Sequence, residues 1–506
     1  MIQKILERVF HVRRTSWAER HFTAILIVGA AVAMLVSLAI GLAQSVWFDE
    51  AYSIMVAKQP IEQLLHLTAV DTHPPLYYLL LKGWAGLFGW SEFALRSLSV
   101  LALGGSLVIG GLLVKRMFGV RTALITLPFI LFAPFLLRYG FEIRMYALAS
   151  LIGIAATYVL VSAVDAKTKR QLWIRYGLYA VLVAIGVYTL YYTALLWVAH
   201  LVWLGWITYR EKKPVLRAPW LFAFAGSVIL FLPWLPTFVR QISNGALAPI
   251  SQAMTLENLL GIISFNFVYQ PVWQLNALLS LLVVFVIGTL GYVTVQAFKV
   301  VSNDKKKYLL LLAFYVLIPI IVLTLVSLFR PMYVERYLAH IAIGGMLFVG
   351  VAVALVTKKT TTVTVQAAAL LVVVLVVGVA HLIQVGNYNF QRLQKPDVAR
   401  AAALLELCET GATIMAADPY VAIELAYYVP KDCDIHFYSK DAKLGGGYAL
   451  LSESPLRISD PASQLADKKT VYYAYYDQPS LEIPLLLNQT GDEKFGSLTV
   501  ATFSAE

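Results

Sequence analysis

The sequence predicts a polytopic α-helical membrane protein of about eleven transmembrane helices with a small C-terminal α/β domain. Three observations carry that prediction. Of 506 residues, 59% are hydrophobic and only 14% charged, where soluble domains run to about a quarter charged. Apolar windows of the length that crosses a bilayer as a helix, about 20 residues, recur from Phe22 to Gln384. After Asn387 the pattern changes to short β-like runs separated by turn residues.

The N-terminal segment is basic, with Lys4, Arg8, Arg13, Arg14 and Arg20. The apolar run behind it, residues 22–44, is too long for a signal-peptide core of about 7–15 residues. It is therefore read as the first span, N-terminus inside. A polar loop, 45–92, follows. Two interfacial helices are expected in it, over 50–67 and 75–88. The second starts at the Pro74-Pro75 pair, because proline is tolerated in a first helical turn. Span two is placed at 93–114. Its Gly104, Gly105, Gly110 and Gly111 suit close helix packing and lack the strand–turn–helix context of a nucleotide fingerprint. Further spans are expected at 123–137, 146–164, 174–190, 194–208, 219–234, 275–298, 308–329, 337–357 and 363–384.

Charge orients these helices. The net charge is +11, and its excess lies in the membrane part: up to Gln384 there are 30 Lys and Arg against 13 Asp and Glu, and beyond it 10 against 16. The basic residues gather in alternate loops, at Lys115/Arg116/Arg121, Lys167/Lys169/Arg170/Arg175, Arg210/Lys212/Lys213/Arg217, Lys299/Lys305/Lys306/Lys307 and Lys358/Lys359. Positive loops stay in the cytoplasm, so this distribution argues for membrane orientation and against a nucleic-acid partner. It puts the other loops and the tail outside, in a multi-pass protein of the cell membrane. The tail, 385–506, is read as one extracytoplasmic domain behind a membrane module of 1–384. It opens with an amphipathic run, 396–408, and has β-like runs at 413–416 and 471–474, with loop signals at Asp418-Pro419, Gly445-Gly446-Gly447 and Ser454-Pro455. Its Cys408 and Cys433 are the two cysteines of the chain, with no metal-binding spacing; outside the cytoplasm they are free to pair.

Four polar stretches lie on the outer side. Asp49-Glu50 follows the first span. A carboxylate there is either a solvated loop residue or a general base, able to take the proton of an attacking hydroxyl, or a metal ligand. Asp71-Thr72-His73-Pro74-Pro75 comes next, and His73 suits a phosphate, a carboxylate or a metal equally. Lys82 is either an interfacial snorkel or a phosphate contact. The run RYGFEIRMYAL holds Arg138, Glu142, Arg144 and Tyr146, readable as a self-neutralising pair or as a phosphate clamp, since the guanidinium is a planar fork of donors. Tyr188, Tyr191 and Tyr192 line a sugar pocket or form an aromatic belt. Last, RPMYVERY sets Arg330, Glu335 and Arg336 at the start of a span, where charge is a functional hypothesis by default. An anionic, lipid-borne substrate meeting an acceptor hydroxyl fits this set. A phosphate leaving group needs cations to take its charge, whereas glycoside hydrolysis needs two flanking carboxylates.

Those residues resemble a known class. WFDEAYS after the first span, DTHPPLYYLLLK, FEIRMYAL and ERYL together resemble the PMT-like GT-C glycosyltransferase superfamily, of the protein O-mannosyltransferase and aminoarabinose-transferase type, over residues 46–338. The resemblance implies a GT-C fold and transfer of a sugar, with inversion, from a polyprenyl-phosphate donor to a glycan, lipid or protein acceptor at the extracytoplasmic face. It implies that Asp49 is the base or acceptor-orienting residue, with Glu50 its acidic partner and His73 the HPP histidine. Arg144 and Arg336, with Lys82 and Arg138, would hold the donor phosphate. Asp71, Glu142, Tyr146, Tyr192 and Glu335 would line the substrate site. Some relatives use a divalent metal, for which Asp49, Glu50 and His73 are the candidates here. A transporter or flippase of lipid-linked sugars is the competing reading; it would call for paired repeats and broken midplane helices, which the sequence lacks. The tail is expected to guide the acceptor.

Overall fold

The computed structural model describes residues 17–243 apart from 213, 215 and 217, then 252–357, 362–385, 397–405, 412–430, 433–439, 449–452, 454–461, 465, 467–476 and 487–504. Lys4, Arg8, Arg13, Arg14, Lys213, Arg217, Lys358, Lys359, Cys408, Gly445-Gly446-Gly447 and hence the cysteine pairing lie outside the described residues. Two compact units divide the chain. One comprises residues 1–40, 96–236 and 250–385; the other comprises 41–95, 237–249 and 386–506. The first loop thus groups with the tail and not with the membrane helices, a division that a linear boundary at 384 does not capture.

The first unit is a helical membrane bundle. Among the described residues, eight helices are long and apolar enough to span a bilayer, or up to ten if two bent pairs each count as one span. The remaining expected window, 194–208, forms the helix Thr193–Arg210, whose Trp197, His200, Trp203 and Trp206 dilute its apolar character. The Ala339–Val356 helix is central, with 89% of its apolar window buried. It packs against Val120–Leu131, Tyr146–Val164, Asn303–Ser327 and Ala277–Val300. Its sequence, AHIAIGGMLFVGVAVALV, is apolar all round, as a helix enclosed on every side must be. Ala277–Val300 is only 28% buried over its window and turns Leu278, Leu281 and Val284 outward, the pattern of a lipid-facing helix. The expected glycine packing is present. A Cβ on Gly111 would stand 2.6 Å from Leu26 Cδ1, and one on Gly105 3.0 Å from Leu151 Cδ1. At the basic ends of the helices, Asp165 collects Tyr308 OH at 2.7 Å, Lys307 Nζ at 3.4 Å and Arg116 Nη2 at 3.5 Å.

The second unit joins the loop helices to an α/β fold. Its six-stranded sheet has the order β3-β2-β1-β4-β6-β5. These are β1 Ala412–Ala416, β2 Asp434–Tyr438, β3 Arg457–Ile458, β4 Thr470–Tyr476, β5 Asn488–Phe495 and β6 Leu498–Ser504. The first four are mutually parallel, and β6 and β5 continue antiparallel. Every residue of β1 is buried, as befits a central parallel strand covered on both faces. The edge strand β5 is exposed over seven of its eight residues and carries Asp492, Glu493 and Lys494, charges that discourage pairing with another chain. The Pro419–Tyr428 helix makes the crossover from β1 to β2, which a parallel pair requires. Asp418 caps it by accepting from Val421 N, and Pro419 occupies its first turn.

Candidate active site

The loop unit carries the acidic half of the candidate residues. The chain breaks at Pro60, so the expected helix over 50–67 is two, Phe48–Lys58 and Ile61–Val70. Gln59 is extended at ψ 154, as the residue before a proline prefers. Asp49 and Glu50 occupy the first turn of Phe48–Lys58, where the helix dipole favours negative charge. Glu50 is fully buried, and its carboxylate accepts from the Trp47 N–H at 3.4 Å, the N3 half of a capping box. Asp49 is half-buried one residue earlier. The carbonyl of Asp49 accepts from Ser53 Oγ at 2.8 Å.

Asp71, Thr72 and His73 are buried together. Thr72 Oγ1 lies 2.8 Å from His73 Nδ1 and 3.2 Å from Asp71 Oδ1, and Asp71 Oδ2 is 3.8 Å from His73 Nδ1. Gln241, in the helix Leu235–Ser243, fixes this turn. Its Nε2 donates to Asp71 O at 2.6 Å and to Thr68 O at 2.9 Å. Lys82 donates to the carbonyls of Gln59 at 2.8 Å and Ala57 at 3.2 Å, so its ammonium closes the C-terminal end of the Phe48–Lys58 helix. Among the described residues, no group of three or more His, Cys, Asp or Glu is placed to hold a metal ion, so Asp49, Glu50 and His73 do not form a ligand set.

The membrane unit carries the basic half. Val120–Leu131 and Pro134–Gly140 meet at a 63° bend, with Pro134 opening the short second helix. That bend places Arg138, 3% exposed, against fully buried Glu142, with Nη1 to Oε2 3.6 Å. Glu142 and Arg144 sit on the non-helical link before Tyr146–Val164. Arg144 is 4% exposed, its guanidinium 6.0 Å from the Tyr146 ring centroid. Arg336, on the 3-10 turn Glu335–Leu338, donates from Nε to Tyr146 OH at 3.1 Å, and its Nη1 lies 4.0 Å from Glu335. Tyr146 is thus a hub. Its ring also meets Tyr139 edge-on at 5.5 Å and Tyr337 at 6.0 Å, and Tyr337 meets Tyr192 at 4.9 Å. The Tyr192 hydroxyl donates to Met332 O.

The structure therefore brings Arg138, Glu142, Arg144, Tyr146, Tyr192, Glu335 and Arg336 together in one unit. It gathers Asp49, Glu50, Asp71, His73 and Lys82 in the other. Tyr188 and Tyr191 have hydrogen-bond partners of their own. The Tyr188 hydroxyl donates to Leu230 O at 3.2 Å, and Tyr191 accepts from Trp234 Nε1 at 2.8 Å. Sequence reasoning missed Gln241 and Tyr269. Tyr269 is 1% exposed with φ 50, a left-handed conformation rare for a bulky residue. Burial pushes its phenol up to about 12, helped by Glu142 and Glu335, while Arg138, which hydrogen-bonds it, pulls the other way. No sequence pattern marks such a residue.

Comparison with known proteins agrees with this architecture. Residues 72–236 match the family model described as dolichyl-phosphate-mannose-protein mannosyltransferase. No curated protein matches the chain. The structure of ArnT from Cupriavidus metallidurans in the apo state superposes with a TM-score of 0.59 at 12% identity, covering 95% of this chain and 98% of that one. ArnT bound to undecaprenyl phosphate superposes at 0.57, with the same identity and coverage. The Archaeoglobus fulgidus oligosaccharyltransferase in complex with Zn and sulfate superposes at 0.50 and 12% identity, covering 88% of this chain and 67% of that one. The chain is a multi-pass membrane protein with the fold seen in these GT-C glycosyltransferase structures.

Proposed function

We propose that this protein transfers a sugar from a polyprenyl-phosphate donor to an acceptor hydroxyl at the extracytoplasmic face of the cell membrane, with inversion. The observation that carries the reading is the gathering of Arg138, Arg144 and Arg336 around Tyr139 and Tyr146 in the membrane unit. Guanidiniums gathered this closely, with Arg138 and Arg144 buried, are costly unless an anion or carboxylates compensate them. A lipid-linked phosphate is an anion that a membrane protein can meet in this setting. The likeness to ArnT, whose structure holds undecaprenyl phosphate, supports the same donor class here.

In the proposed reaction the acceptor oxygen attacks the anomeric carbon from the side opposite the phosphate. Asp49 takes the hydroxyl proton. The bond from the anomeric carbon to the phosphate oxygen breaks, and its electron pair leaves with polyprenyl phosphate. Arg144 and Arg336 stabilise the charge that develops there. Arg138, paired to Glu142, shapes the site instead of sharing the load. Asp71, Thr72 and His73 hold the loop behind Asp49. Lys82, committed to two carbonyls, serves as a helix cap in this scheme. The positive-inside pattern supports a cytoplasmic N-terminus and an extracytoplasmic tail.

The test uses purified protein with a panel of undecaprenyl-phosphate-linked sugars, among them mannose and aminoarabinose, and host membranes as acceptor. Release of undecaprenyl phosphate that depends on Asp49 supports the reading. Binding of these lipids with movement across vesicles and no release would replace it with transport.

A further inference from the structure

The tail holds the loop that carries Asp49 by a specific set of contacts. The Tyr428 hydroxyl, at the end of the Pro419–Tyr428 helix, accepts from the Val46 N–H at 2.6 Å and donates to Glu92 Oε1 at 2.6 Å. Val46 lies two residues before the Phe48–Lys58 helix, and Glu92 is the first residue of the Glu92–Phe118 span. One phenol therefore ties both ends of the first loop. Around it, Tyr427 OH donates to Trp90 O at 3.0 Å. Lys58 Nζ stands 5.7 Å from the Tyr427 ring and 5.8 Å from the Trp90 ring, within cation–π range. The Tyr420 ring meets Phe48 at 4.3 Å, and Ala399 N donates to Ser45 Oγ at 3.2 Å. The residue before Asp49 is thus packed on the tail, and the helix bearing Asp49 is gripped at both its ends.

We propose that Tyr428 is a positioning residue for Asp49, and that the tail acts as a brace for the chemistry. The proposal rests on reading Asp49 as the base. A general base works only within hydrogen-bond reach of the proton it removes, and a displacement of about 1 Å is enough to cost about a hundredfold in rate. A hydroxyl that fixes the backbone just before Asp49 controls that distance. Donor binding, assigned to the arginines, does not pass through it.

The test compares full-length wild type, Tyr428→Phe and Glu92→Gln in detergent. Hydrogen exchange is read on peptides spanning residues 44–58. Undecaprenyl phosphate is the binding probe, and turnover is read with whichever panel donor the wild type uses. Tyr428→Phe should raise exchange at 46–51 about tenfold and lower kcat about tenfold, with KM and undecaprenyl phosphate binding within about twofold. Glu92→Gln keeps an acceptor for the phenol and should stay near wild type in both. Unchanged exchange at 46–51 in Tyr428→Phe would overturn the proposal. So would a general loss in which KM rises, melting temperature falls and Glu92→Gln is equally impaired. Asp49→Asn is run alongside: if it turns over like wild type, the base assignment fails, and that result is separable from the exchange data.

Discussion

Arg336, half-buried, and Glu142, fully buried, show how differently two charges can serve one site. The Arg336 Nε is spent on Tyr146 OH at 3.1 Å, which fixes the plane of the fork. Lysine keeps the charge and loses that geometry. Arg336→Lys should therefore raise the donor KM about tenfold, measured by steady-state release of undecaprenyl phosphate, with little change in melting temperature. Glu142 is different, being fully buried at 3.6 Å from the Arg138 guanidinium. Removing one partner of a buried pair costs about 3–5 kcal/mol. Glu142→Ala should consequently act as a stability mutant: a lower melting temperature and less protein in the membrane, accompanied by any loss of activity. A normal melting temperature with activity lost would move Glu142 into the chemistry.

At the scale of elements, close approach and local charge decide stability. Gly378, in the Thr362–Val385 helix, lies against the carbonyl of Phe267, and a Cβ there would stand 2.8 Å from Pro134 Cγ. Backbone cannot yield as a side chain does, so Gly378→Ala should lower the melting temperature, whereas Gly288→Ala, with open space around it, should not. In the tail sheet, Asp434 is partly buried, which favours its neutral form. The hydrogen bonds from Lys468 and Thr413 and the neighbouring His436 outweigh this and bring it from 3.8 to about 2. A depressed carboxyl contributes stability above its unfolded value and loses it as the pH falls through the folded one. The difference in melting temperature between wild type and Asp434→Asn should thus be full at neutral pH and close between pH 4 and about 2. Much of this scale was legible. Window length found the helices, and short β-like runs between turn residues found β1 and β4. The break at Pro60 is written in the sequence, since proline is poorly tolerated inside a helix, although one helix was expected over 50–67. The turn at Tyr269 and the hold of Gln241 on Asp71 arise from contacts across more than a hundred residues, which no local pattern encodes.

For the whole molecule, the informative fact is that residues 41–95 group with the tail. The sequence motifs singled out Asp49, Arg144 and Arg336 as candidates because charge beside long apolar runs stands out. They gave no sign that Tyr428 of the tail binds Val46 and Glu92, since a tyrosine in an α/β domain is unremarkable by composition. Acceptor guidance, the role expected for the tail, then becomes secondary to bracing: removing residues 387–506 should abolish turnover and not merely broaden acceptor choice. The account divides labour between arginines that hold the donor phosphate and a carboxylate that takes the acceptor proton. Its most direct test is to measure undecaprenyl phosphate binding and single-turnover release side by side in Asp49→Asn and Arg336→Ala. The account predicts that Asp49→Asn binds within about twofold of wild type while release falls at least about a hundredfold, and that Arg336→Ala loses binding. Release at the wild-type rate in Asp49→Asn, or unaltered binding in Arg336→Ala, would contradict it.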